Sequence, residues 1–311
     1  MRTTASLCLV AALVGAGARI LAQTGSDNPP AFALAEPGIS PDGREIAFAA
    51  RGDIWSVPVT GGDARLLVAD AAFERRPLFS PDGRSLAFVS HRTGGGDIYV
   101  LTLATGLIHR VTWDDGLEQL DGWSRDSTWV YFSSGGHDIG GLNDVYRVRA
   151  AGGTPFAVTG DRYVNEFGGA ASPDGRRLAF SARGIGSAQW WRKAGSHIDQ
   201  SEIWTLDLDA APPREGETPR YTRLTDRDAR HLWPMWSADG RSIFYVSSRG
   251  GAENVWTRPA VAGAGDRAIT RFRDGRVLWP SITADGRTIA FERNFGLWTL
   301  DTSSGQARQV P

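Results

Sequence analysis

The chain has 311 residues, with 34 basic against 35 acidic side chains and a formal net charge of −1. That balance argues against nucleic-acid binding through bulk charge and against an acidic disordered tail, while a 41% apolar fraction is ample for a buried core. The sole cysteine, Cys8, leaves no route to a disulfide framework, a CxxC redox pair or a thiolate zinc site.

At the N-terminus, Arg2 precedes a small-residue-rich apolar run from Leu7 to Gly17, and Ile20-Leu21-Ala22 stands before Gln23. This pattern predicts a secretory signal over 1–22, followed by a linker over 23–35. The run is too short to span a bilayer, and no other apolar stretch is long enough. The mature chain is expected to be exported, either periplasmic or secreted.

From residue 36 onward the chain repeats itself. Ser-Pro-Asp-Gly-Arg occurs at Ser40 to Arg44, Ser80 to Arg84 and Ser172 to Arg176. Weaker copies stand at Ser124 to Ser127, Ser237 to Arg241 and Thr283 to Arg287. The aspartates 42, 82, 126, 174, 239 and 285 are spaced by 40, 44, 48, 65 and 46 residues, near the period of a four-stranded propeller blade, with one insertion. Pro presets φ, and Asp and Gly tolerate tight or left-handed positions, so each copy predicts a turn between two strands. An apolar run follows, as in Ser85-Leu86-Ala87-Phe88-Val89, and then a third strand opening on an aliphatic–aromatic pair. Those pairs are Ile54-Trp55, Ile98-Tyr99, Val145-Tyr146, Ile203-Trp204, Val255-Trp256 and Leu297-Trp298. The six rings read as wedges packed between blades, and the six aspartates as turn hydrogen-bonders. The expected fold is all-β: a six-bladed β-propeller over 36–311, with four-stranded antiparallel blades near 36–70, 75–113, 118–160, 166–226, 231–271 and 276–311. The strands run first to fourth in every blade, so the ring is expected to close by packing, without strand exchange.

The insertion falls in the fourth blade, where Trp190-Trp191-Arg192-Lys193 and His197 precede Glu202-Ile203-Trp204. Two rings beside two cations suit a peptide carboxylate or a neighbouring domain; a loop whose tryptophans cap the blade is the plainer alternative. Residues just before each first strand should crowd one mouth of the channel. Arg75, Arg76, Asn165, Glu166, Arg230, His231 and Arg276 occupy such places and form a mixed-charge rim suited to peptide termini.

No G-x-S-x-G elbow, H-E-x-x-H helix, P-loop or dinucleotide fingerprint occurs, and the five histidines show no i, i+4 pairing. No catalytic residue, metal or cofactor is therefore expected, which also disfavours a propeller enzyme such as a quinoprotein or lactonase.

The repeat resembles the TolB and tricorn propeller superfamily. The segment Trp190-Trp191-Arg192-Lys193, followed by Ser196-His197-Ile198-Asp199 and Glu202-Ile203-Trp204, is similar to the N-terminal six-bladed propeller of tricorn-like serine peptidases, as is Gly52 to Pro58. The resemblance covers about 31–310. It implies a non-catalytic propeller that passes or anchors peptides for proteolysis, with a second propeller, a PDZ-like domain and the nucleophile supplied by domains not found here. The archetype's paired-arginine anchor lies in the loop entering the third blade; here that loop, Asp114 to Leu120, is acidic, so the role is not transferred, and Arg75-Arg76 lies one blade earlier. The expected function is thus peptide gating or binding by the propeller of an exported peptidase, in a chain that is part of a longer protein. The alternative is a stand-alone TolB-like periplasmic interaction scaffold. Expected partners are peptides or unfolded protein, downstream peptidase domains or other periplasmic proteins, with no nucleic acid and no membrane span after signal cleavage.

Overall fold

Twenty-four strands, taken in order, build six antiparallel sheets of four in a computed structural model that describes residues 33–138, 140–161, 163–184, 200–209 and 220–311. Blade 1 holds β1 (Ala35–Ile39), β2 (Glu45–Ala50), β3 (Asp53–Pro58) and β4 (Arg65–Val68). Blade 2 holds β5 (Glu74–Phe79), β6 (Ser85–Ser90), β7 (Asp97–Thr102) and β8 (Ile108–Arg110). Blade 3 holds β9 (Glu118–Trp123), β10 (Trp129–Ser134), β11 (Asp144–Arg149) and β12 (Phe156–Ala157). Blade 4 holds β13 (Val164–Ala171), β14 (Arg177–Gly184), β15 (Glu202–Asp207) and β16 (Tyr221–Arg223). Blade 5 holds β17 (His231–Trp236), β18 (Ser242–Ser247), β19 (Asn254–Pro259) and β20 (Arg267–Ala268). Blade 6 holds β21 (Leu278–Ile282), β22 (Thr288–Arg293), β23 (Gly296–Asp301) and β24 (Ala307–Gln309). The extra length of blade 4 is divided between two connections, Gly184 to Glu202 and Asp207 to Tyr221.

Each repeat turn joins the first and second strands. The Ser or Thr hydroxyl donates to the Asp two residues on, at 2.5–2.7 Å in all six blades, and the same Asp accepts the backbone N–H two residues further. Five turns place Gly in the left-handed region; in blade 3 Ser127 takes that position at φ 59°. Ser127 compensates through its hydroxyl, which accepts the Asp82 N–H of blade 2 at 3.1 Å. The hydroxyl bond is the largest influence holding all six turn carboxyls below the usual range.

The core is divided into six apolar clusters, one per junction between blades, and each contains one of the six third-strand rings. Tyr99 packs between blades 1 and 2, Tyr146 between 2 and 3, and Trp298 between 5 and 6. Second strands such as Leu86 to Ser90 are buried on both faces by neighbouring blades, which explains their unbroken apolar runs. The ring closes without strand exchange. Ile39, Ile46, Phe48 and Val57 of blade 1 pack on Ala290 and Leu297 of blade 6. Ser281 Oγ accepts the Ile39 N–H at 2.9 Å and donates to Pro37 O at 3.1 Å. Leu34 donates one backbone bond to Phe295 O, in the turn between β22 and β23, and does not flank β24; Phe32 lies outside the described residues.

Buried acids line the junctions at the opposite end from the repeat turns. Burial pushes Glu118 up to about 8 and Glu166 up to about 7, although Glu118 accepts a short bond from the Thr112 hydroxyl. A carboxyl whose folded pKa is raised favours the folded state fully below its unfolded value and loses that contribution as pH rises through the folded one. The turn aspartates, with lowered values, act in the opposite sense and lose theirs as pH falls below the usual carboxylate range. Thermal stability is therefore expected to peak on the acid side of neutrality. Glu118→Gln should remove on the order of 2 kcal/mol of the decline between pH 5 and pH 8. Melting temperatures of both proteins at the two pH values check this; parallel declines would contradict it.

Candidate functional site

The inner strand of each blade faces the channel with an edge that has no strand partner, and there the pairing with the second strand is interrupted by a bulge. In four blades the bulge is a left-handed residue followed by proline: Glu36-Pro37, Arg76-Pro77, Trp233-Pro234 and Trp279-Pro280, with φ between 51° and 54°. Proline is tolerated because the missing N–H would point into the channel. Blade 4 uses Gly168-Gly169 and blade 3 a single extra residue, Asp121.

These bulge side chains meet across the axis. The Arg76 guanidinium lies 5.1 Å from the ring of Trp279, and the Trp279 and Trp233 rings are 5.3 Å apart, linking blades 2, 6 and 5. Arg76 also donates Nε–H to Leu120 O of blade 3 at 3.2 Å and is only 4% exposed. Glu36 joins blade 1 to the same tier by accepting the Arg76 N–H at 2.6 Å and Arg75 Nη2 at 2.7 Å. Burial lowers the Arg76 pKa to about 10, against the opposing pull of Glu36 and Asp121. Asp121 Oδ2 accepts from Ser133 Oγ and from the Gly169 N–H at 3.0 Å; burial nevertheless raises its carboxyl to about 7.

Between this tier and the repeat turns lies an axial cavity of about 200 Å³, walled by all six blades. Its turn-side rim is the residue after each repeat Ser or Thr: Pro41, Pro81, Arg125, Pro173, Ala238 and Ala284. Arg125 reaches from blade 3 to the opposite blade and donates to Ala284 O at 3.0 Å. The channel is thus crossed by an arginine at two levels, with the cavity between them.

Of the residues singled out in the sequence, Arg75 and Arg76 join this site through Glu36. Arg230 and His231, on blade 5, do not. Arg230 pairs with Glu253 at 3.4 Å, as does Arg276 at 3.3 Å. The His231 side chain is fully buried, bonded through Nε2 to Asp228 at 2.9 Å, and burial lowers its pKa, so it does not face the mouth. Glu166 is likewise buried, and Asn165 accepts the Asn143 N–H at 2.8 Å. Trp190, Trp191, Arg192, Lys193 and His197 lie outside the described residues. Among the described residues, no three His, Cys, Asp or Glu side chains converge to hold a metal ion. No described helix is long and apolar enough to cross a membrane.

The fold and this arrangement can be set beside known proteins. The family described as the tricorn protease N-terminal beta propeller domain matches residues 32–306. The chain belongs to that family. Among relatives, an uncharacterized protein of Agrobacterium fabrum is 30% identical over 67% of this chain and 68% of its own length. Tricorn protease homolog 1 of Streptomyces coelicolor is 26% identical over 64% of this chain but only 18% of its own, and the Tol-Pal system protein TolB of Anaeromyxobacter dehalogenans is 32% identical over 71% and 36%. The chain thus spans a minor part of these two longer proteins. The crystal structure of the tricorn protease superposes with a TM-score of 0.69 at 19% identity, covering 90% of this tricorn-type propeller and 26% of that chain. TolB from Acinetobacter baumannii gives 0.63 at 18%, covering 88% and 62%. At these identities the likeness shows the fold alone.

Proposed function

We propose that this propeller is non-catalytic and exported, and that it binds or gates peptides or unfolded polypeptide for proteolysis carried out by other domains or proteins. The observation that supports this best is the axial channel. All six blades contribute to it, and it combines buried opposite charges with aromatic and aliphatic walls, a set suited to holding polypeptide rather than to bond cleavage. Arg76 and Arg125, which cross the channel, are the groups that gating would have to displace. Arg75 and Arg230 remain the proposed rim contacts, with Trp190, Trp191, Arg192, Lys193 and His197 as a further arm.

Fluorescence anisotropy with labelled, unstructured casein peptides tests this. Saturable binding without peptide cleavage is expected, with Arg75→Ala and Arg230→Ala each weakening it about threefold or more, the range of a partly exposed charged contact. Absence of binding at millimolar peptide, or robust cleavage by the purified chain, would overturn the proposal.

A TolB-like docking role has its own support. Phe73, Trp113, Leu117, Tyr163 and Phe295 are all exposed. They lie in fourth-to-first connections or in a second-to-third turn, at the same end of the antiparallel blades. Apolar side chains gathered on one mouth favour a protein partner there. In that case Trp113→Ser with Tyr163→Ser would abolish partner association and leave peptide binding unchanged.

A further inference from the structure

Two groups in the axial cavity carry unused hydrogen-bonding capacity of opposite sign. Asp121 Oδ1 is buried without a hydrogen-bond partner among the described residues. Arg76 uses Nε on Leu120 O, but Nη1 has only a long 3.5 Å contact to Trp279 O, and Nη2 has no partner among the described residues. The two attract each other without forming an ion pair among those residues. Each therefore retains unused hydrogen-bonding capacity, and both residues line the same cavity. Leu78, Phe79, Trp233, Met235 and Ile282 supply apolar wall around them. A void of about 150 Å³ already holds a benzene-sized molecule, so about 200 Å³ accommodates one residue with its side chain.

We infer that this cavity binds an α-ammonium group flanked by a carbonyl and an apolar side chain, the chemistry shared by the amino end of a polypeptide and a free apolar α-amino acid. The ammonium donates to Asp121 Oδ1, the adjacent carbonyl or carboxylate oxygen accepts from Arg76 Nη2, and the side chain lies against Trp233 and Phe79. Entry is from the turn side, past Arg125, because Arg76 over Trp279, with Trp233 beside Trp279, obstructs the other end. This deepens the peptide-binding proposal and rests on it.

The pH dependence follows from the groups facing Asp121: Arg76 from β5, the Ser133 hydroxyl from β10, and the Gly168 and Gly169 N–H groups from β13. Only the ionised carboxylate attracts an ammonium. Affinity should therefore rise as pH goes from 5 to about 7, then fall above about 8 as the α-amino group deprotonates.

The test is isothermal titration calorimetry of the full chain with Leu-Gly-Gly, its N-acetyl form, its C-terminal amide, and free leucine. Leu-Gly-Gly and its amide are expected to bind equally, with N-acetylation weakening binding at least tenfold. Asp121→Asn should also weaken binding at least tenfold. The acetylated comparison uses the native chain and needs no variant to fold. Leucine binding at least as well as the tripeptide would assign the site to free amino acids; weaker leucine binding would assign it to peptide ends. Equal binding of the acetylated tripeptide, or no binding of any of the four, overturns the inference. If casein peptides still bind in that event, the wider peptide-binding proposal survives; if they also fail, both fall.

Discussion

Gly38→Ala is expected to destabilise the propeller by roughly 3 kcal/mol or more, the upper range for overpacking a filled interior. Gly38 lies on β1 just after the Glu36-Pro37 bulge, and a Cβ there would stand 2.1 Å from the carbonyl oxygen of Pro77. That oxygen is backbone, held in the neighbouring inner strand by the Arg76-Pro77 bulge, so no rotamer change relieves the overlap. At Gly169 the nearest atom is the Val145 Cγ1 methyl at 2.7 Å, which a side-chain rotation can move, and the cost there should be smaller. Gly265→Ala, with no atom within 4 Å, is the matched control and should change stability by less than about 0.5 kcal/mol. Urea unfolding of the three variants checks the order. A Gly38→Ala protein as stable as the control would mean that blades 1 and 2 do not meet as described.

Glu36→Ala should cost roughly 1–3 kcal/mol, the penalty for leaving the buried Arg76 N–H without its acceptor. Glu36 is 8% exposed and links three elements: it accepts from the Arg76 backbone and from the Arg75 side chain, and its own N–H donates to Glu292 Oε2 at 3.3 Å. Without the carboxylate, the Arg76 N–H loses its acceptor and the buried guanidinium loses the larger of the two carboxylate attractions that offset its burial. The left-handed backbone at residue 36 is strained equally for Glu and Ala, so that contribution cancels. Glu36→Gln retains an acceptor for the Arg76 N–H and should lose about half as much. Chemical unfolding of the two variants against wild type decides this. A Glu36→Ala penalty below about 1 kcal/mol would show that solvent, not Glu36, satisfies Arg76.

The six turns and six inter-blade rings were legible in the chain because their causes are local. Ser40 and Asp42 are two residues apart, and the glycine that completes the turn is adjacent. The channel tier has a sequence signal of its own, less visible because it marks an exception in the strand rather than the turn. Glu36, Arg76, Gly168, Trp233 and Trp279 each stand four residues before the repeat Ser or Thr, and in four cases proline follows. A proline at one fixed register of an inner strand marks a bulge on an unpaired edge. The charged residues ahead of the first strands do not all reach the rim: His231 and Glu166 are buried. Nothing in a run such as His231-Leu232-Trp233 states that its first side chain turns under Tyr245, 5.5 Å away, rather than toward solvent.

By itself, then, the sequence determined the blade: its turn, its apolar second strand, its wedge ring and its sixfold recurrence, all products of backbone preference and hydrophobic spacing over a few residues. The tertiary structure alone decided the site. Arg76 and Trp279 are 203 residues apart, and Arg125 and Ala284 are 159 apart. They meet only because six blades close into a ring that brings opposite inner edges within reach of one side chain. Burial in that ring, not the identity of the residues, is what pushes the Asp121 carboxyl up and the Arg76 guanidinium down and leaves Asp121 Oδ1 without a partner among the described residues.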